Sequence, residues 1–436
     1  MSKHVKVLSV SVIFILLVVV FVAFRDKSSA IVGLKSIKTN VYPNLNTVKL
    51  SNAITDSSQY DLINKSFDQF VDKWGLSGAS VAIAKDGKLI YAHGFGYANK
   101  EEKLRMQPYN LMRVASVSKL ITATAVMKLV EDDKLKLTDR VFGPSGILKD
   151  SIFLNYKDKR VEDITVNNLL NHSGGWTSRW GDHMFIKDVI AKELDKELPI
   201  SLNDIVVFAL SKKLHFKPGD HSSYSNLGYG ILQLVVERAS GEGYEKYVKE
   251  NIFEPLNIHD AYLSQNWDSL RLKNEARYYE VPEAERIVAF DGSKDNVLKC
   301  RGGNDIRTLG AAGGWVISSI NLTKFLLAID GDDSFPDILS KRSIAQMAVT
   351  DKKFQPLGWR WIMPNGKLWR SGSLPGTTAL AVSTSNGYTY AFIANCSPWK
   401  GARFPYIIDR FMDKNLPKVD KLPKKDLFYY GLASKN

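Results

Sequence analysis

Ser116-Val117-Ser118-Lys119 places a hydroxyl and an amine three residues apart, at the head of a run from Leu120 to Val130 that lacks glycine and proline and reads as a helix. Positions three apart share a helix face, so Ser116 and Lys119 can meet in one cleft. A serine hydroxyl is a poor nucleophile until a neighbouring base takes its proton. A lysine amine does that when desolvation or nearby positive charge lowers its pKa. A helix N-terminus adds positive potential and free backbone N–H groups around the serine. Tyr224-Ser225-Asn226 supplies a phenol and an amide two positions apart. Beside the lysine, a tyrosinate can relay a proton to a leaving group, and Asn226 can orient the lysine or a substrate amide. Arg370-Ser371-Gly372 closes a short strand. Its guanidinium can hold a substrate carboxylate through two parallel hydrogen bonds, and Gly372 would let backbone approach the substrate.

Each pattern recurs elsewhere. Ser397-Pro398-Trp399-Lys400 repeats the first spacing, but with an internal proline and behind a strand. Tyr42-Pro43-Asn44 and Tyr97-Ala98-Asn99 repeat the second, and His172-Ser173-Gly174, in a glycine-rich loop, rivals Arg370. Pro218-Gly219 marks a turn just before Tyr224, which puts the tyrosine on a loop ahead of a helix at Ile231. Catalytic side chains concentrate on such loops.

The elements that must position these residues fall into a simple order. Ile63, Phe67, Phe70 and Trp74 form the stripe of an amphipathic helix. Ala79 to Ala84 and Leu89 to Phe95 flank a glycine-containing turn and read as a hairpin. Near the other end, Leu357 to Met363, Thr378 to Ser383 and Tyr388 to Asn395 read as strands, with a short Lys367-Leu368-Trp369 run behind a turn. Phe404 to Met412 reads as a helix. Between them, Ile231 to Ala239, Tyr244 to Phe253 and Leu322 to Ala328 are the clearest helices. The pattern predicts an α+β fold: one antiparallel sheet built from both chain ends, flanked by terminal helices and carrying a large helical insertion. The expected divisions are 1–27, an N-terminal anchor or signal; 28–57, a polar tether; 58–413, the catalytic domain; and 414–436, a C-terminal tail. Within the domain, 58–105 and 354–413 form the sheet part and 106–353 the helical part.

Composition narrows the function classes. Hydrophobic residues are 44% and charged residues 24%, ordinary for a folded soluble domain. The net charge is +13, but Lys and Arg alternate with Asp and Glu. No basic patch with groove-reading motifs is present, which argues against a nucleic-acid partner and suits an anionic cell surface. Val7 to Phe24 is apolar apart from Ser9 and Ser11 and follows the basic Lys3 and Lys6. Its 18 residues exceed the roughly 7–15 of a signal-peptide core and nearly span a bilayer. Ser28 and Ala30 stand at a cleavage spacing behind Arg25-Asp26-Lys27. We expect an uncleaved membrane anchor in preference to a cleaved signal, with the C-terminal part outside the cytoplasm in the cell envelope. There Cys300 and Cys396 are able to pair, although two buried free thiols are the expectation. The seven histidines show no zinc-ligand spacing, so no metal is expected.

Together the three constellations resemble the serine β-lactamase and penicillin-binding-protein superfamily, in its class C and esterase-like branch. That family carries Ser-x-x-Lys, Tyr-x-Asn and a Lys/His-Thr/Ser/Gly-Gly strand motif in this chain order, and the separations of 105 (Lys119 to Tyr224) and 146 residues (Tyr224 to Arg370) are similar. Leu169-Leu170-Asn171-His172-Ser173-Gly174-Gly175, Phe216-Lys217-Pro218-Gly219, Ala311-Ala312-Gly313-Gly314-Trp315 and Ser373-Leu374-Pro375-Gly376 also look like the family. The resemblance covers about Gln59 to Met412. It implies acylation of Ser116, proton transfers shared by Lys119 and Tyr224, and an oxyanion hole from the backbone N–H groups of Ser116 and Ser373. Each such donor supplies ~3–4 kcal/mol. Asn226, Arg370, Ser371, Gly372 and Ser373 would bind substrate, and no cofactor is implied. Arg370 departs from the usual lysine or histidine; it keeps the charge but does not transfer a proton. The implied function is a serine hydrolase of an amide or ester: a β-lactam, a D-amino-acid peptide or a small ester. The alternatives are a catalytically weak penicillin-binding sensor of the same fold and a transacylase.

Overall fold

The computed structural model describes residues 49–293 and 296–430. The apolar run Val7 to Phe24 and residues 28–48 of the expected tether lie outside the described residues. Among the described residues, no helix is long and apolar enough to cross a membrane.

The amphipathic stripe folds as helix α1, Asp61–Lys73, with Ile63, Phe67 and Phe70 buried. Behind it, β1 (Gly78–Lys85) and β2 (Lys88–Asn99) pair antiparallel around a two-residue loop. Asp86 and Gly87 in that loop have φ of 50° and 75°, as a type I′ turn requires at both central positions. The short β3 (Leu104–Arg105) follows on β2. The remaining strands of the main sheet come from the far end of the chain: β4 (Trp361–Ile362), β5 (Leu368–Leu374), β6 (Thr377–Ser383) and β7 (Tyr388–Ala394). The seven-stranded order is β3-β2-β1-β7-β6-β5-β4, with every pair antiparallel. The two chain ends therefore meet in the middle of the sheet, where Ala79 to Lys85 pair with Ala394 to Tyr388.

Strand alternation assigns the two faces. Val81, Ile83, Leu380, Val382, Tyr390 and Phe392 point to one side and form a core with α1 and the C-terminal helix. The opposite side of the same strands carries small residues, Ser80, Ala82, Ala379, Ala381 and Ala391, which let a helix lie close. That helix is Ser319–Leu327. Ser80 Oγ and Ser319 Oγ are 2.7 Å apart, and Thr323 Oγ1 donates to the Ala82 carbonyl at 3.3 Å. The α+β architecture thus has the predicted form: a two-ended antiparallel sheet with a helical insertion between its halves.

Three element boundaries in the C-terminal part of the sheet and its last helix differ from expectation. β5 continues through Arg370 to Leu374 because its ladder with β6 runs unbroken from Leu368↔Ser383 to Leu374↔Thr377; Arg370 is mid-strand, not at a strand end. The strand expected from Leu357 is reduced to Trp361–Ile362, since Gly358 adopts φ 78°. The last helix runs Phe404–Val419, past Met412, because Leu416 and Val419 continue its buried stripe. Leu422, Leu427 and Phe428 are buried too, so part of the stretch expected as a tail belongs to the core.

Candidate active site

Ser116 lies in a single 3-10 turn, Ala115–Val117, that leads directly into helix α2, Ser118–Glu131. Ala115 has φ 48°, a left-handed conformation that costs a non-glycine residue about 1–2 kcal/mol. The strain is held by β5, which packs against the turn. Arg370 Nε donates to the Ser116 carbonyl at 2.8 Å. A Cβ on Gly372 would overlap the Val114 carbonyl oxygen and fall 3.0 Å from Ser116 N. The glycine therefore admits the Ser116 turn itself, where closeness to substrate was expected.

Helix α2 is buried nearly all round, and Lys119 is 0% exposed. Its Nζ donates to Asn226 Oδ1 at 2.7 Å, to the Ala312 carbonyl, and to Ser116 Oγ at 3.4 Å. Tyr224 and Asn226 flank the N-cap of helix α3, Asn226–Ser240, where the Ser225 side chain accepts from Gly228 N. This start lies five residues ahead of the expected Ile231. Gly228 and Gly230, ahead of the expected start, sit close to Leu169 and Leu202. The cap fixes the two side chains on one end of the helix. Tyr224 donates its hydroxyl to Ser116 Oγ at 2.7 Å, and Asn226 Nδ2 donates to Asp182 Oδ2 at 2.7 Å. The predicted hydroxyl, amine, phenol and amide are thus one connected network.

Electrostatics follows from that burial. Desolvation pushes the Lys119 ammonium down to about 8, with Arg370 adding to the fall while Tyr224 and Asp182 oppose it. Burial alone would raise the Tyr224 phenol, but Lys119 and Arg370 outweigh it and bring it to about 8. Lys119 and Tyr224 therefore hold a proton that either can release near neutral pH, and a tyrosinate would accept the Ser116 proton along the contact that Tyr224 now donates. His172, the rival cation, lies under this pair. Its ring is 4.6 Å from the Tyr224 ring, and its Nδ1 accepts from Ser225 N at 3.2 Å. Burial holds its pKa well below the usual imidazole value, reinforced by Arg370 and Lys119. It is a neutral support for the tyrosine.

Arg370 is only 1% exposed. Its Nη2 donates to the Tyr224 hydroxyl at 3.3 Å, its Nε is taken by Ser116, and Nη1 is shut off from water without a partner. The guanidinium braces the Ser116 turn and the phenol instead of offering the open fork expected of a carboxylate ligand. Ser371 and Ser373 follow on β5 and line the same cleft, a cavity of about 730 Å³ that also takes in Ser116, Tyr224, Asn226 and Arg360.

Tyr42-Pro43-Asn44 lies outside the described residues, and the other repeated spacings do not join this site. Ser397 Oγ accepts from Gly376 N, and Lys400 lies 3.9 Å over the Trp399 ring. Asn99 caps Glu101 and Glu102. Cys300 and Cys396 are buried free thiols. No group of metal-ligating side chains is found among the described residues. Two participants escaped the sequence reading. Asp182 sits in a loop with no pattern to mark it. Arg360 stands between Trp359 and Trp361, an uncommon setting for a cation and the one signal that pointed to it.

Similarity to known proteins agrees with this geometry. The protein flp of Staphylococcus aureus is 28% identical over 237 residues, which cover 54% of this chain and 44% of flp; the chain thus spans less than half of that relative's length. Penicillin-binding protein 4* of Bacillus subtilis is 23% identical over 336 residues, 72% of this chain and 67% of the relative. Among solved structures, the octameric penicillin-binding protein homologue from Pyrococcus abyssi superposes with a TM-score of 0.60 at 27% identity, over 85% of this chain and 78% of that one. The D-amino acid amidase from Ochrobactrum anthropi SV3 superposes with a TM-score of 0.64 at 20% identity, over 84% and 99%, a likeness of fold. The beta-lactamase family profile matches residues 63–407. With that profile spanning most of its length, the chain belongs to the beta-lactamase family, within the serine β-lactamase and penicillin-binding-protein superfamily.

Proposed function

We propose that the protein is a serine hydrolase that opens an amide or ester through an acyl-enzyme on Ser116. The observation that carries this reading is the triangle in which Tyr224 OH lies 2.7 Å and Lys119 Nζ 3.4 Å from Ser116 Oγ. In the working cycle, the Tyr224–Lys119 pair takes the hydroxyl proton as Oγ bonds to the substrate carbonyl. The carbonyl oxygen becomes an oxyanion, held by the backbone N–H groups of Ser116 and Ser373. Tyr224 then returns the proton to the leaving amine or alcohol as the carbonyl–leaving-group bond breaks. Water, deprotonated by the same pair, releases the acid and restores Ser116. Asn226 holds Lys119 and is itself held by Asp182; Arg370 favours the ionised phenol.

Membership of the family supports a hydrolase in general. The relatives suggest D-amino acid amides and penicillins as acyl groups to try, and the sequence adds D-amino-acid peptides and simple esters. Turnover of such a panel by the wild type, compared with Ser116→Ala, tests the reading. No turnover of any member, or equal turnover by the variant, rejects it. We further propose that the domain works outside the cytoplasm, tethered by Val7 to Phe24. Cell fractionation with and without that segment tests this, since a chain that stays soluble with it intact has no anchor.

A further inference from the structure

Gln233 is a lone amide in the apolar run Ile231 to Val236 of α3, and it is half-buried. Its Nε2 donates to Glu237 Oε1 at 3.4 Å, which also accepts from Tyr244 N at 3.4 Å. An amide that spends its N–H groups on a carboxylate turns its carbonyl the other way. Gln233 Oε1 accordingly accepts from Ala311 N at 3.2 Å. Gln233 and Glu237 line a second cavity of about 750 Å³ together with Tyr244 and Arg307. None of Ser116, Lys119, Tyr224 and Asn226 lines that cavity among the described residues.

Ala311 belongs to the helix Ile306–Gly313, which is kinked at Gly310 with φ 34° and ψ −112°. Only glycine takes that conformation readily, and a Cβ there would overlap Gln233 Oε1. Ala311 is pinned twice: its N–H by Gln233, and its carbonyl by Thr122 Oγ1, which donates at 2.7 Å. With both of its peptide planes held, the next carbonyl along, that of Ala312, is held too. That carbonyl accepts from Lys119 Nζ. Leu309, Ala312 and Gly313 line the Ser116 cleft, while Arg307 and Thr308 line the second cavity. One stretch of backbone thus stands between the two cavities, and Gln233 holds it from the far side.

We propose that Gln233 is a positioning residue for the acylation of Ser116. By holding the Gly310–Ala312 turn, it sets where the Ala312 carbonyl meets Lys119, and so how the Lys119–Tyr224 pair takes the Ser116 proton. This rests on the Ser116 hydrolase reading and adds a residue that touches neither substrate nor nucleophile. A carbonyl that accepts from an ammonium favours the charged form. The turn therefore opposes release of the Lys119 proton while it keeps Nζ beside Ser116 Oγ. Tyr224, Arg370, Asp182 and His172 also face Lys119. Gln233 is bonded to none of them among the described residues.

The test is the rate of Ser116 labelling by a neutral alkyl fluorophosphonate, measured across pH on the full chain. Labelling forms an Oγ–P bond as fluoride leaves, and the serine proton passes to the Tyr224–Lys119 pair. Gln233→Leu removes the acceptor for Ala311 N–H at nearly constant volume. Its plateau rate constant should fall about 10- to 100-fold, as for a small displacement of a catalytic group. Its rising limb should move down by roughly 0.5 to 1 pH unit as the ammonium loses part of its acceptor. The exchange of Gln233→Glu with Glu237→Gln keeps an acceptor for Ala311 N–H, a bond between the two side chains, an acceptor for Tyr244 N–H and the net charge. It should restore most of the rate and of the limb. Lost stability alone would lower the amount of labelled protein without moving the limb. An unchanged plateau, a limb that does not move down, or a loss that the exchange fails to restore overturns the proposal. Where Gln233→Leu does not fold, Gln233→Asn, whose amide is one methylene short of Ala311, is read in the same way. A wild type that takes no label on Ser116 is a different result, and it defeats the nucleophile assignment itself.

Discussion

Replacing Arg370 by methionine isolates the electrostatic part of the proposed relay. The side chain keeps its volume in the sheet but loses the charge 3.3 Å from the Tyr224 hydroxyl. A full charge pair at that distance in an effective dielectric of about 20 is worth about 5 kcal/mol. The guanidinium charge is spread over several atoms, and hydrogen bonds to charged groups contribute about 1.5–3 kcal/mol. At about 1.4 kcal/mol per pKa unit, that is a shift of roughly one to two units. The sign is the same whichever partner releases the proton, because Arg370 lowers both Lys119 and Tyr224. In the proposed cycle the active form is the deprotonated pair, present above about 8 in the wild type. In Arg370→Met the rising limb should move up by about one to two units, with a loss of about 10- to 100-fold in acylation rate at neutral pH. The assay is the pH dependence of Ser116 labelling by a neutral fluorophosphonate, read beside the near-ultraviolet tyrosinate signal that Tyr224→Phe removes. Arg370→Lys should shift less. A limb that stays near 8, or moves down, in Arg370→Met refutes the coupling.

Gly372→Ala forces a methyl group into the Val114 carbonyl, and neither partner is a flexible side chain. We expect a stability loss of about 1–3 kcal/mol and a fall in Ser116 labelling of about 100-fold from the displaced turn; thermal unfolding and labelling rates check the two separately. Asp182→Ala removes the acceptor for Asn226 and a charge that raises Lys119. The rising limb should therefore shift to lower pH, opposite to Arg370→Met, while the plateau rate drops because Asn226 is no longer held. His172 should stay neutral, with Nδ1 unprotonated, through the range where an ordinary imidazole titrates; nitrogen-resolved NMR across mildly acidic to neutral pH checks this. Because its folded pKa is depressed, its effect on stability is absent at neutral pH and becomes a loss as pH falls through the unfolded value of about 6.5.

How far the sequence carried the account depends on the range of the forces involved. Ser116 and Lys119 were legible because a three-residue spacing on a helix is local geometry. Tyr224 and Asn226 were legible for the same reason, since one N-cap holds both. The two-ended sheet was legible from period-two runs at either end of the chain. Where long-range packing decides, the reading slipped. A helix was expected from Ile231, yet α3 starts at Asn226 and takes in Gly228 and Gly230, close to Leu169 and Leu202. Gly372 read as a strand end and a substrate contact, yet it is a mid-strand residue fitted to the turn of Ser116. Arg370 and Arg360 are the same residue type ten positions apart, and only burial tells the brace from the open cation. Asp182 has no local signature, because its partner Asn226 is 44 residues away.

The most direct test is the covalent state of one oxygen. Incubate the 436-residue protein with a fluorophosphonate, digest it and locate the added mass by peptide sequencing. One adduct per chain on Ser116, absent in Ser116→Ala and strongly slowed in both Lys119→Met and Tyr224→Phe, is the predicted result. An adduct elsewhere, or equal labelling in Ser116→Ala, would contradict the account.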